Sequence, residues 1–292
     1  MFGAVGLVIL ATAAAAHATF PGRNGRIAFT SYEYSAEDSS YQSWIISVRR
    51  DGRAPRVLAR GQPEDPAHRP DGHMIAFARP RAGIFLMRFD GSAKRRLLPG
   101  PYGEPDWSPD GRRLVVTRTR RPRGLLIWDG GELRELTTGS TAAWSPTGRR
   151  IAFTRPDRRY GRTTVFVMSS GGCCIRRLEA GYEPEWSPDG RRIVFARGDL
   201  FHSVRPDGTG LRLLAPVHGT NPVYAPSGTR IAYVKSIRRS GFSADALLTM
   251  GADGRRRTRV FDTVGARVPV GNYISRLDWQ PRRRPRPGPR AP

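Results

Sequence analysis

The sequence predicts an all-β protein, a six-bladed β-propeller of four-stranded antiparallel blades, and three observations support this. A strand–turn–strand motif returns every 37 to 42 residues, with its turn glycine at Gly72, Gly111, Gly148, Gly190 and Gly228. Each interval holds four short apolar segments separated by turns, as a propeller blade does. No segment shows the 3.6-residue hydrophobic period of a long helix.

Each repeat begins with a short opening strand that ends at one position, here called the aromatic slot. The slot holds, in chain order, His68, Trp107, Trp144, Trp186, Tyr224 and Trp279. A turn such as Ser-Pro-Asp-Gly follows, in which Pro presets φ and Gly accepts a left-handed conformation. We therefore predict that the slot residue packs between blades and that Asp110 and Asp189 of the turn are structural, not catalytic.

The two ends of the chain are predicted to share one blade. Gly25 marks a sixth copy of the motif that lacks its opening strand, whereas "ISRLDWQP" at Ile274–Pro281 is an opening strand with no blade of its own. Joining them completes six blades. It also removes the two exposed sheet edges that an open ring would leave.

The sequence divides into three segments. Residues 1–18 are apolar and end in a small-x-small pattern, which predicts a signal peptide and export to the periplasm, the cell surface or the medium. No Lys or Arg precedes the apolar run, so we expect either that the true start lies upstream or that the assigned start is wrong. The propeller is predicted at residues 19–281. The Arg- and Pro-rich residues 282–292 are predicted to be a disordered tail.

The net charge of +24 suggests an anionic partner, but the distribution of charge argues against specific nucleic-acid binding. Of 49 basic residues 47 are arginine, and they are scattered over turns and strands, as expected for a GC-rich coding sequence. We expect the tail either to contact anionic lipids or envelope polymers or to act only as a solubilising end. The adjacent Cys173 and Cys174 have no distant partner and are interpreted as loop residues without a catalytic role.

Acidic side chains concentrate in the opening strands, which lie innermost in a propeller. They occupy two positions, three residues and one residue before the aromatic slot. The predicted channel-mouth residues are Asp65, Glu104, Asp106, Glu183, Glu185, Asn221, Arg276 and Asp278. Period-two alternation would put both positions on one side of each strand. Converging carboxylates either take up protons or recruit a cation, so the hypothesis is a site for calcium or a basic peptide segment. The alternative is a solvated mouth with the acids paired to arginines.

The motifs also resemble those of a known family. Complete "WSPDG" repeats stand at Trp107–Gly111 and Trp186–Gly190, and degenerate copies begin at Arg69, Trp144 and Ala225. An aromatic residue before Ser-Pro-Asp-Gly and an apolar strand is similar to the repeat of the TolB propeller family, over residues 21 to 281. The resemblance implies the propeller; it does not by itself imply an activity.

The sequence is compatible with two functions. The first is an exported, monomeric, non-enzymatic propeller that binds a protein or peptide partner in the cell envelope, alone or together with a neighbouring gene product. The alternative is a cation-dependent envelope enzyme of the sugar-acid lyase or lactone hydrolase type, using the channel carboxylates. The sequence has no G-x-S-x-G, H-E-x-x-H or G-x-x-x-x-G-K-[ST] motif.

Overall fold

The computed structural model describes residues 20–282 except 36–39, 158, 160, 240–241, 264–270 and 272, so the predicted signal peptide and the tail beyond Arg282 lie outside it. The described residues form 24 β-strands. In chain order these are β1 (Arg23–Ser35), β2 (Ser40–Val48), β3 (Arg56–Ala59), β4 (Glu64–His68), β5 (Met74–Arg79), β6 (Gly83–Arg88), β7 (Arg95–Pro99), β8 (Tyr102–Trp107), β9 (Arg113–Arg118), β10 (Gly124–Asp129), β11 (Glu132–Thr137), β12 (Ser140–Trp144), β13 (Arg150–Asp157), β14 (Arg162–Ser169), β15 (Arg176–Ala180), β16 (Tyr182–Trp186), β17 (Ile193–Arg197), β18 (Leu200–Val204), β19 (Arg212–Ala215), β20 (Thr220–Tyr224), β21 (Arg230–Arg239), β22 (Phe242–Gly251), β23 (Thr258–Asp262) and β24 (Tyr273–Arg282).

The strands form six four-stranded antiparallel sheets, which confirms the predicted six-bladed propeller. Blade 1 has the order β24-β1-β2-β3. Blades 2 to 6 are β4–β7, β8–β11, β12–β15, β16–β19 and β20–β23, each with its strands in sequence order. Each opening strand contacts the next one, from β4 round to β20, then β24, and back to β4. The ring is therefore closed around its innermost strands. Within the described residues no helix is long and apolar enough to span a membrane.

The closure of blade 1 by both ends of the chain is confirmed. In the β1–β24 ladder Ile27 lies opposite Trp279 and Ala28 opposite Asp278. The backbone N–H of Arg26 also donates to Gln280 Oε1 at 3.2 Å. β24 includes Arg282, which therefore belongs to blade 1.

The aromatic slot packs between blades, as predicted. All six slot residues are buried, and two indoles donate across a blade boundary: Trp107 Nε1 to the Ala67 carbonyl at 3.2 Å, and Trp186 Nε1 to the Ala143 carbonyl at 3.1 Å. In the following turn Asp110 Oδ1 accepts from the Arg112 N–H at 3.0 Å. The turn aspartates are thus held as structural acceptors.

The two ends of the ring differ in shape. We call the end where opening strands begin the entry face, and the end where they finish in the Ser-Pro-Asp-Gly turns the turn face. The hairpins β1–β2, β13–β14 and β21–β22 have second and third strands of 8 to 13 residues, whereas those strands in blades 2, 3 and 5 have 5 or 6. Since these hairpins turn at the entry face, blades 1, 4 and 6 stand above the others there.

Candidate binding site at the channel mouth

A β-bulge interrupts every opening strand at the residue three before the aromatic slot. These six bulge residues all have positive φ, between 51° and 57°: Asp65, Glu104, Thr141, Glu183, Asn221 and Arg276. The strand register shifts at the same place in each blade. The regular alternation assumed in the sequence analysis is therefore wrong for these strands, because a bulged residue breaks the period of two.

The bulge residues link the blades through side-chain-to-backbone hydrogen bonds. Asp65 Oδ2 accepts from the Glu104 N–H at 2.9 Å, and Glu104 Oε2 from the Thr141 N–H at 2.7 Å. Glu183 Oε2 accepts from the Asn221 N–H at 2.5 Å, and Asn221 Oδ1 from the Arg276 N–H at 3.2 Å. Each bond runs from one blade to the next, so these polar side chains fasten the ring together.

Arg276 crosses from blade 1 to two other blades. Its Nε lies 2.9 Å from Asp65 Oδ1, and its Nη2 lies 3.1 Å from Glu104 Oε1. All three side chains are at most 11% exposed. Burial alone would lower the pKa of Arg276, but the charges of Asp65, Glu104 and Glu183 more than offset it and raise that pKa. Arg276 is thus a permanently charged cross-brace among buried carboxylates.

The residues directly before the aromatic slot, here called latch residues, alternate between acidic and apolar around the ring. In ring order they are Asp278, Ala67, Asp106, Ala143, Glu185 and Val223. Asp106 Oδ2 accepts from the Trp144 N–H at 2.7 Å, and Asp278 Oδ2 from the His68 N–H at 2.5 Å. Where the latch is alanine, the next tryptophan instead donates to the latch carbonyl. Two latch types thus join successive blades, and the third acidic latch, Glu185, is fully buried.

Glu64, directly before Asp65, was not identified from the sequence. It is half-buried and lines a cavity of about 500 Å³ between blades 2 and 3 at the entry face, together with Arg81, Tyr102, Thr119 and Arg120. Burial, then Asp65, and to a lesser extent Glu104 raise its pKa to about 7, although Arg276 acts in the opposite direction. Its side chain therefore changes charge near neutral pH at the edge of the mouth.

Replacing Glu64 with glutamine is expected to remove a pH-dependent cost. Folding raises the pKa of this carboxyl from 4.5 to about 7. The free energy of unfolding therefore falls as pH rises from about 4.5 to 7, and this contribution stays constant at higher pH. The cost at pH 8 is at most roughly 3 kcal/mol. Urea unfolding of Glu64→Gln should show greater stability than wild type at pH 8 and no difference at pH 4. An equal difference at both pH values would contradict the assignment.

The predicted channel residues provide a poor set of ligands for a divalent cation. Both carboxylate oxygens of Asp65 and of Glu104 already accept hydrogen bonds. Across residues 20–282, outside the gaps given above, no group of three or more His, Cys, Asp or Glu side chains is placed to hold a metal ion. A calcium ion at this mouth would have to displace Arg276 or backbone N–H groups that join the blades.

Two histidines and the two cysteines of the chain are structural or isolated. His68 fills an aromatic slot, with Nδ1 2.5 Å from Asp278 Oδ2, and His202 stacks on Phe195 with centroids 5.8 Å apart. Cys173 and Cys174 are exposed, unbridged thiols beside the turn between β14 and β15. None of these side chains adds a reactive group to the channel mouth.

The fold and its interlocked mouth define a class: a six-bladed propeller whose acidic inner strands serve as inter-blade fasteners. The sequence matches the model of the TolB beta propeller domain over residues 19–270, and the chain belongs to that family.

Structural comparison gives the same fold. TolB from Acinetobacter baumannii aligns with a TM-score of 0.71 and 20% identity, covering 88% of this chain and 67% of that one. A chain from a nidogen/laminin complex aligns with 0.67 and 9%, covering 88% and 99%. A gluconolactonase from Xanthomonas campestris aligns with 0.53 and 13%, covering 74% and 84%. No curated protein sequence matches significantly. At these identities the similarity concerns the fold alone.

Proposed function

We propose that this protein is an exported, non-enzymatic propeller that binds a protein or peptide segment of an envelope partner at the entry-face mouth. The observation that carries the proposal is the use of the mouth acids as fasteners between blades. Side chains fixed in this way make a rigid rim, and a rigid rim reduces the entropy lost when a partner docks. The carboxylate oxygens of Asp65 and Glu104 are already occupied by bonds between blades.

The shape of the entry face supports a docked segment. The raised hairpins of blades 1, 4 and 6 make walls, and the low side at blades 2 and 3 opens into the cavity beside Glu64. The cavity combines an aromatic ring, Tyr102, with the positive charges of Arg81 and Arg120 and one titratable carboxyl. A segment with an apolar anchor and an acidic flank would match this combination.

The comparisons fit this proposal better than the alternative. Membership of the TolB family supports a protein-binding role. Export to the periplasm agrees with the family and with the predicted signal peptide. The gluconolactonase shares the fold at 13% identity, but here the carboxylates that a catalytic cation would need are engaged by Arg276 and by N–H groups. The tail would add diffuse attraction to anionic envelope surfaces.

The test is site-specific photo-crosslinking in the native envelope. A photoreactive phenylalanine analogue at Tyr102 should give one discrete adduct with a partner protein. The same analogue at Leu211, an exposed side chain elsewhere on the ring, should not. Arg81→Glu should reduce the Tyr102 adduct severalfold, because an acidic flank would then be repelled.

Equal adducts at Tyr102 and Leu211 would refute docking at the mouth. Calcium calorimetry tests the alternative in the same preparation. Tight binding to the wild type that is lost in both Glu104→Gln and Glu183→Gln would favour the cation-dependent enzyme.

A further inference from the structure

A second concave site lies on the turn face, at the opposite end of the opening strands from the channel mouth. It is a cleft of about 1450 Å³ at the boundary between blades 1 and 6. Its floor is the start of β1, which is tied to blade 6 by two bonds: the Gly22 N–H donates to the Pro226 carbonyl at 3.0 Å, and the Ser227 N–H to Asn24 Oδ1 at 3.0 Å. These two hydrogen bonds hold blades 1 and 6 together at the cleft.

Positive charge dominates the cleft. Its lining contains five arginines and one acidic residue, Asp51; the arginines are Arg23, Arg26, Arg49, Arg50 and Arg282. Within the part of the chain that the structure describes, none of the five forms an ion pair with a carboxylate. Burial, and then the charges of Arg56, Arg49 and Arg282, lower the pKa of Arg26. Asp51 acts in the opposite direction on Arg26 but is the smallest of these influences, so it offsets only part of the positive potential.

Two of these arginines face each other at a direct cost. Arg23 and Arg282 are opposite residues of the β1–β24 ladder. Like charges opposite each other destabilise a sheet. A third arginine, Arg26, is fixed beside them, because its guanidinium donates to Ser47 Oγ at 3.0 Å, to the Ser47 carbonyl at 2.8 Å and to the Ala54 carbonyl. A bound anion would offset the repulsion between Arg23 and Arg282.

The hydrogen-bonding character of the lining selects the type of anion. Besides the guanidinium groups it offers Asn24, whose Oδ1 is already occupied, and the hydroxyls of Ser227 and Thr229. Such a donor-rich surface suits phosphate groups, which accept through several oxygens, better than a peptide, which brings its own N–H donors. The lining contains no aromatic side chain on which bases could stack, and its concave shape does not fit a flat bilayer.

We propose that this cleft binds an extended phosphate-bearing polymer without bases, with the five arginines contacting its phosphate groups. The site is independent of the function proposed for the mouth. Arg283, Arg284, Arg286 and Arg290 follow Arg282 in the sequence, and the test below separates their charge from that of the cleft. Arginine suits this role because its planar fork pairs with phosphate in two-point contacts.

The proposal is tested by the binding of inorganic polyphosphate of one defined length to the full chain. Competition anisotropy measures the affinity over a range of salt concentrations. Arg23→Gln/Arg49→Gln/Arg50→Gln should weaken binding at least about tenfold and reduce the salt slope by roughly two to three. The control Arg95→Gln/Arg96→Gln/Arg123→Gln removes the same charge from exposed arginines away from the cleft, and should change affinity less than about twofold. Circular dichroism and thermal unfolding confirm that both variants fold.

Probe chemistry provides the second arm. Polyglutamate and single-stranded oligothymidylate of equal charge should both bind the wild type more weakly than polyphosphate. The proposal is overturned if the control variant loses as much affinity as the cleft variant. It is equally overturned if polyglutamate or oligothymidylate binds as tightly as polyphosphate, or if substituting only the four tail arginines abolishes binding.

Discussion

Replacing Arg276 with leucine is expected to lower the free energy of unfolding by about 3 to 5 kcal/mol, the usual cost of removing one partner from a buried ion pair. The guanidinium is 10% exposed and contacts Asp65 and Glu104, which are themselves buried. Leucine would leave two carboxylates close together without a counter-charge, in a place that water reaches poorly. Chemical denaturation followed by tryptophan fluorescence measures the loss.

Two further variants separate charge from packing. Arg276→Lys should recover only part of the loss, because one ammonium cannot reproduce separate Nε and Nη2 contacts to two carboxylates. Combining Arg276→Leu with Asp65→Asn and Glu104→Gln should recover stability, since each amide oxygen can still accept the N–H of the next blade. Arg282→Leu, at the exposed end of the same strand, is the matched control and should cost little. A loss for Arg276→Leu no larger than that for Arg282→Leu would show that the cross-brace does not stabilise the ring.

The blade count and the seam could be predicted because both follow from local patterns. The turn Ser-Pro-Asp-Gly is specified by four adjacent residues, and Trp279 with Pro281 repeats the spacing of Trp107 with Pro109. Once six such units are recognised, the unpaired opening strand at the C-terminus has only one place left in the ring.

The geometry of the mouth could not be predicted in the same way, although one signal was present. Four opening strands carry a proline directly after the bulge residue: Pro66, Pro105, Pro184 and Pro222. Proline cannot donate to a sheet ladder, so within a strand it marks an edge or a bulge. The bonds of the bulge residues depend on which blades meet across the channel. Arg276 and Asp65 are far apart in sequence, and their contact exists only because the termini join.

The properties of Glu64 and of the arginine cleft were also beyond the sequence. The pKa of Glu64 is set by its burial and by Asp65, and burial in a cavity between two blades has no sequence signature. The arginines of the cleft come from β1, the β2–β3 turn and β24. In a chain where nearly all basic residues are arginine, their convergence at the boundary between blades 1 and 6 is hidden by the many arginines elsewhere.

In blade 1 the neighbouring strands β24 and β1 come from opposite ends of the chain and are joined only by non-covalent contacts. Cross-linking this seam should therefore stabilise the protein strongly. Tyr32 and Tyr273 are opposite residues of β1 and β24, and their rings stack with centroids 5.3 Å apart. A disulfide from Tyr32→Cys/Tyr273→Cys, in a Cys173→Ser/Cys174→Ser background, would enclose nearly the whole propeller. The chain-entropy model gives roughly 5 kcal/mol for a loop of this length, reduced by about 1 kcal/mol for the lost aromatic pair.

A second disulfide separates ring closure from cross-linking in general. Pro156 and Thr163 are exposed opposite residues of one hairpin in blade 4, and a bridge there encloses only a short loop. It should contribute about 2 kcal/mol. For each variant, the difference between its denaturation midpoints with and without reductant measures the stabilisation by its disulfide. Because unfolding of a closed ring begins where its edges can part, the seam bridge should also slow unfolding more than the hairpin bridge does. Equal slowing of unfolding by both bridges would mean that the ring unfolds from somewhere other than blade 1.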